Sequence, residues 1–86
     1  MNGLEIKLGA TYSNGEFGKR WAVWQVLEIR PCDDEPELEC VICKVLVGSH
    51  RRAKIACTRA EFARWARYEV VRNENVWERI DTPPPG

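Results

Sequence analysis

The chain has 86 residues, of which 44% are hydrophobic and 30% charged, and its 13 basic and 13 acidic side chains cancel to zero. Such a chain forms one small folded domain rather than a disordered segment. It has no apolar run of the ~18 residues that cross a membrane, and no secretory signal at its start. We therefore expect a cytoplasmic protein with reduced cysteines. Residues 1–80 should form the domain and 81–86 a flexible proline-rich tail.

Apolar segments bounded by turn residues predict strands along most of the chain. Residues 4–8 alternate apolar and charged side chains, whereas residues 20–30 are apolar on both faces, as expected of a strand that bends between sheets. Pro31 ends that strand, because it cannot donate a hydrogen bond to the ladder. Further strands are predicted at residues 38–47, 51–57, 68–71 and 76–80.

One helix is predicted from Thr58 to about Arg67. Thr58 and Glu61 have the spacing of a capping box, and Cys57 and Phe62 have that of a hydrophobic staple. Phe62, Trp65 and Ala66 then form its buried stripe. Five or six antiparallel strands with one short helix near residues 58–67 predict a mainly β fold, a small and strongly bent barrel. An SH3-like barrel is the first choice and an OB-like barrel the second.

The residues that could support catalysis or metal binding lack the necessary context. Cys40 and Cys43 have C-x-x-C spacing, but Val-Ile between them favours a strand, which would point the two thiols to opposite faces. We therefore predict free thiols, no metal and no cofactor. His50 is the only histidine and lies beside two arginines, and no nucleophile–base pair or phosphate-binding loop can be assembled. No catalytic residue is predicted.

The charge is divided between the two halves of the chain. Residues 1–43 carry four basic and eight acidic side chains, whereas residues 44–86 carry nine basic and five acidic ones. The acidic excess lies in the predicted loop around Asp33 to Glu37. An exposed Trp24 would offer a stacking surface. The predicted binding face consists of Arg52, Lys54, Arg59, Arg64, Arg67 and Trp24.

The segments Trp21 to Leu27, Arg51-Arg52 and Cys57 to Phe62 resemble those of small SH3-like-barrel proteins of unknown function from bacteria, phages and prophages. This resemblance implies an accessory role in a mobile element and supplies no catalytic residues. The first hypothesis is therefore a non-enzymatic protein-binding module, such as an accessory or inhibitor protein. The alternative is a nucleic-acid-binding barrel that uses the arginine face, and a small oligomeric enzyme ranks lower. The complementary charges also suit self-association. On either leading hypothesis, reversing Arg59 and Arg64 to Glu should abolish partner binding.

Overall fold

The computed structural model describes residues 5–80, which form a mainly β fold. Its elements are β1 (Thr11–Ser13), a 3-10 helix (Gly18–Arg20), β2 (Val23–Pro31), β3 (Glu39–Val47), β4 (Lys54–Thr58), α1 (Arg59–Trp65), β5 (Tyr68–Asn73) and β6 (Val76–Ile80). The strands form one antiparallel sheet in the order β4-β3-β2-β1-β5-β6. Within residues 5–80 the sheet is open, because β4 and β6 are its two edges and do not pair with each other. The predicted number of strands and the single helix are confirmed, whereas closure into a barrel is not observed. The proline-rich tail lies outside the described residues.

The long strand β2 carries the irregularities expected of a strand that bends. Its register with β3 shifts between Val23 and Trp24 and again between Val26 and Glu28. Val23 and Val26 are both fully buried although they lie three residues apart, which strict alternation would not allow. The bulges therefore change which face of the strand is buried along its length.

The core forms where α1 packs over the sheet. Its buried members are Ile6, Tyr12, Val26, Val41, Cys43, Phe62 and Ala66. Phe62 is fully buried, and its ring lies edge-on to Tyr12 with 5.4 Å between centroids. Trp65, the third member of the predicted stripe, is half-buried against this core. Phe62 and Trp65 confirm the predicted inner face of the helix, and Ala66, which is also buried, lies just after the helix.

The helix begins at the predicted capping box. The Glu61 N–H donates to Thr58 Oγ1 (3.1 Å), and the Thr58 N–H donates to Glu61 Oε1 (2.9 Å). These bonds lower the pKa of the Glu61 carboxyl below its ordinary value of 4.5. The helix ends earlier than the predicted Arg67, because Ala66 is extended and the Arg67 N–H donates to the Ser13 carbonyl (2.8 Å). Pairing with β1 therefore stops the helix.

We expect Thr58→Ala to lower the free energy of unfolding by about 1 kcal/mol, the usual loss when an N-cap hydroxyl is removed. Thr58→Ser keeps the hydroxyl and should retain nearly all of the stability. Because the pKa of Glu61 is lowered by folding, its contribution is present above pH 4.5 and disappears as the pH falls through the folded-state pKa. Urea denaturation at pH 7 and pH 3 measures both effects. Equal stability of the Ala and Ser variants at pH 7 would contradict a capping role.

Two predicted strands are corrected by the structure. Residues 5–8 are not a strand, and Leu4 lies outside the described residues. Gly9 has a φ of +83°, and the segment is instead fixed by Tyr12, whose hydroxyl accepts from the Lys7 N–H and donates to the Glu5 carbonyl. A left-handed glycine therefore turns the chain where alternation predicted an extended strand.

The strand predicted from Arg51 begins only at Lys54. Arg51 and Arg52 lie in the turn before it, and Arg52 has a φ of +73°. Left-handed backbone cannot continue a strand, so the alternation assumed for Arg52 and Lys54 is wrong. No helix within residues 5–80 has the length and apolar character needed to cross a membrane.

Candidate functional site

A pocket of about 550 Å³ lies between the second half of β3, the turn that follows it and the β5–β6 hairpin. This volume falls in the range of ordinary ligand pockets. Four of the lining side chains are cationic and none is acidic. The lining residues, which we call the basic pocket, are Lys44, Val45, Leu46, Val47, Arg51, Arg52, Arg72 and Trp77.

The basic pocket shows how strongly the sheet bends. In the strand order, β3 and β6 are four steps apart, which would separate them by about 19 Å in a flat sheet. Lys44 and Trp77 nevertheless line one pocket. The bend therefore brings cations that are distant in the sequence and in the strand order to one place.

Arg52 reaches the pocket through a strained turn. Its N–H donates to the Val45 carbonyl (2.8 Å), and the Val45 N–H donates to the Ala53 carbonyl (2.9 Å). These two bonds hold Arg52 at a φ of +73°, which costs a residue with a Cβ roughly 1–2 kcal/mol. Such strain is concentrated at functional sites in proteins. The arginine at a position that favours glycine is consistent with a role for its side chain.

We expect Arg52→Gly to leave the protein as stable as the wild type or more stable, by up to about 1 kcal/mol. The relief of strain should offset the larger entropy of glycine in the unfolded chain. An anionic ligand of the basic pocket should bind this variant more weakly, because the substitution removes a cation from the pocket. Thermal unfolding measures the stability of the variant, and a binding titration measures its affinity. A stability loss above about 1 kcal/mol would show that the Arg52 side chain has a structural role instead.

The β5–β6 hairpin presents Arg72 and Trp77 together. They lie directly opposite each other on neighbouring strands, joined by the Glu74-Asn75 loop. The Arg72 guanidinium lies 5.8 Å from the Trp77 ring centroid, and its Nε donates to the Glu74 carbonyl (3.1 Å). Since Nε is held by the hairpin, the remaining guanidinium donors are positioned to bind an anion.

Lys44 and Lys54 add an unfavourable pair beside the pocket. They are directly opposite each other on β3 and β4. Like charges in that arrangement destabilise a sheet. Within residues 5–80 neither lysine has an ion-pair partner, and the same is true of Arg51 and Arg52. A bound anion would relieve this repulsion.

The residues of the predicted binding face lie in different surroundings. Arg52 lines the basic pocket, and Lys54 lies opposite the pocket residue Lys44. Arg59 instead forms an ion pair with Glu39 (2.8 Å) near the opposite end of β4. Arg64 is exposed on α1, and the stem of Arg67 packs so close to Gly15 that a Cβ there would lie 2.9 Å from Arg67 Cγ. The predicted binding face is therefore divided. Arg52 and Lys54 lie at or beside the basic pocket, whereas Arg59, Arg64 and Arg67 lie elsewhere.

Trp24 is half-buried rather than freely exposed. Its ring stacks on Trp65 with 3.7 Å between centroids and an interplanar angle of 11°. It also packs against the core cluster. One face of the indole is therefore covered by the protein itself, which leaves a smaller surface for a partner than an exposed ring would offer.

The sequence interpretation missed Lys44, Arg72 and Trp77 as site residues. The short connection between the predicted strands at residues 68–71 and 76–80 could have placed Arg72 opposite Trp77, because a short hairpin fixes its register. Their proximity to Lys44 and Arg52 had no local signal. It depends on the bend of the whole sheet.

All four cysteines are free, and the pKa values of the Cys32, Cys43 and Cys57 thiols are raised above the ordinary value. Burial raises the pKa of Cys43 to about 12, and a hydrogen bond with Cys40 followed by burial raises that of Cys32 to about 11. A metal ligand must be a thiolate, which these surroundings disfavour. Within residues 5–80 no three Cys, His, Asp or Glu side chains are grouped to hold an ion.

No protein-family model, curated protein or solved structure matches the chain. The resemblance to SH3-like-barrel proteins of bacteria and phages therefore stays a prediction. The geometry of the basic pocket is the basis for assigning a function.

Proposed function

We propose that the protein is a non-enzymatic binding module that docks an acidic segment of a protein partner in the basic pocket. The main support for this proposal is that four cationic side chains and no acidic one line the basic pocket, although the chain has zero net charge. In this proposal the bent sheet is the framework of an SH3-like barrel, and the protein is an accessory or inhibitor protein of a phage or other mobile element.

The chemistry of the pocket suits carboxylates on a protein. The arginine guanidinium matches a carboxylate with two parallel hydrogen bonds, and three of the four cations are arginines. Trp77 offers an aromatic surface of the type that contributes most to protein interfaces. Leu46 and Val47, both half-buried, add apolar contact beside the charges.

A nucleic acid is the second candidate, because a base could stack near Trp77 while its phosphates meet Arg72. A backbone-binding domain normally has a strongly basic balance, however, and this chain has a pI of about 6.6. Its cations also gather in a pocket instead of a long stripe that a polynucleotide could follow. The protein partner is therefore the better match.

The deciding experiment is a pull-down from a bacterial lysate, with and without nuclease, using three forms of the protein. These are the wild type, Arg51→Gln/Arg52→Gln, and the control Lys19→Gln/Arg20→Gln, which removes two exposed cations from the 3-10 helix. We expect the wild type and the control to capture a protein, and this capture should persist after nuclease treatment. The Arg51→Gln/Arg52→Gln variant should not capture it. Loss of capture after nuclease treatment would assign the pocket to nucleic acid. Equal capture by all three forms would exclude the pocket.

A further inference from the structure

A second cluster of unpaired charge lies in the loop between β2 and β3. Asp33, Asp34, Glu35 and Glu37, which we call the acidic loop, are all exposed. None of the four has an ion-pair partner within residues 5–80, whereas the neighbouring Glu39 is paired with Arg59. The loop has a defined shape, because the Cys32 N–H donates to the Leu38 carbonyl and the Leu38 N–H donates to the Glu35 carbonyl, both at 2.9 Å.

The acidic loop and the basic pocket lie at opposite ends of β3. The strand begins at Glu39, next to the loop, and ends at Val47 in the wall of the pocket. The seven steps along the chain from Glu39 to Leu46 span about 24 Å of extended strand. This separation exceeds the screening length of about 10 Å at 0.1 M salt, so the two clusters cannot neutralise each other within one molecule.

We propose that the acidic loop of one copy docks in the basic pocket of a second copy, in a head-to-tail contact. The charges are complementary, and both surfaces combine charge with apolar atoms. Leu38, at the end of the loop, is 41% exposed, and Leu46 and Val47 line the pocket. The partner segment does not have to fold on binding, because the loop is already held by its own hydrogen bonds.

This proposal rests on the pocket assigned to the acidic protein partner, and it gives that pocket a competitor. At high concentration and low salt, copies of the chain occlude one another, and the partner must displace the acidic loop. Each copy uses its acidic loop toward one neighbour and its basic pocket toward another. The contact therefore produces closed rings or open chains, depending on the rotation between copies.

Sedimentation velocity from low micromolar to about 1 mM protein, in about 0.02 M and about 0.5 M salt, tests the contact. The wild type should associate in low salt and sediment as a monomer in high salt. Two variants remove one surface each. Asp34→Asn/Glu35→Gln/Glu37→Gln neutralises the loop, and Arg51→Gln/Arg52→Gln neutralises the pocket. Each variant alone should remain monomeric at every concentration.

A mixture of the two variants gives the most specific test of the head-to-tail contact. The loop variant keeps an intact pocket and the pocket variant keeps an intact loop, so an equimolar mixture should recover association between unlike chains. A wild type that stays monomeric in low salt, or a mixture that does not associate, overturns the head-to-tail contact. Partner binding separates this failure from that of the proposed function. At concentrations where the wild type is monomeric, the loop variant should bind the partner as the wild type does, and only undiminished binding by the pocket variant refutes the pocket itself.

Discussion

Phe62→Ala should lower the free energy of unfolding by about 3–5 kcal/mol, the usual cost of deleting a buried phenylalanine. Phe62 is fully buried and packs against the rings of Tyr12, Trp24 and Trp65, at centroid distances of 5.4, 6.4 and 5.9 Å. The substitution removes all three ring contacts and leaves a cavity under α1. In a domain of this size the loss corresponds to a fall in Tm of roughly 20 °C, measurable by circular dichroism.

The chain contains a matched control for this substitution. Phe17 is 90% exposed, so Phe17→Ala deletes the same atoms from the surface and should change stability by less than about 0.5 kcal/mol. Near-ultraviolet circular dichroism adds a second readout, because Trp24 and Trp65 stack in contact with the core. Similar losses from Phe62→Ala and Phe17→Ala would show that α1 is not packed on the sheet as described.

The sequence allowed the helix to be located because its start depends on neighbours in the chain. Thr58 and Glu61 cap each other, and the burial of Phe62 follows from helical spacing. The alternation in β3 was equally local, with Val41, Cys43 and Val45 buried on one face. Such features need only a few consecutive residues to form.

The parts that were mispredicted depend on longer-range contacts or on a single backbone angle. Residues 5–8 alternate like a strand, but Gly9 turns the chain and the Tyr12 hydroxyl takes up backbone groups of Glu5 and Lys7. The turn at Arg52 is held by a hydrogen bond with Val45, which alternation does not reveal.

The basic pocket could not be predicted from the sequence for a different reason. Lys44, Arg52 and Trp77 come from three segments whose proximity is set by the bend of the sheet. The sequence did identify the excess of cations in the second half of the chain. It could not tell which of them converge, because periodicity assigns residues to a face of one strand and not to a position across four strands.

Reversing two pocket arginines should therefore reduce partner binding far more than reversing two helix arginines. Arg51→Glu/Arg52→Glu places like charges opposite an acidic segment, which is penalised by several kcal/mol and should weaken binding by at least about a hundredfold. Arg59→Glu/Arg64→Glu makes the same change in net charge on α1. Its main local effect is to break the exposed Arg59–Glu39 pair, which contributes at most about 1 kcal/mol to stability.

Isothermal titration of both double variants with the captured partner measures this ranking at one salt concentration, and thermal unfolding verifies that both remain folded. The equal charge change makes each variant the control for the other, because long-range attraction weakens alike in both. A larger loss from the helix pair would instead place the binding face along Arg59 and Arg64, as the sequence alone suggested. The pocket assignment requires the opposite order, because the unpaired cations that converge around Trp77 have no acidic neighbour in its lining to satisfy them, whereas Arg59 already has Glu39.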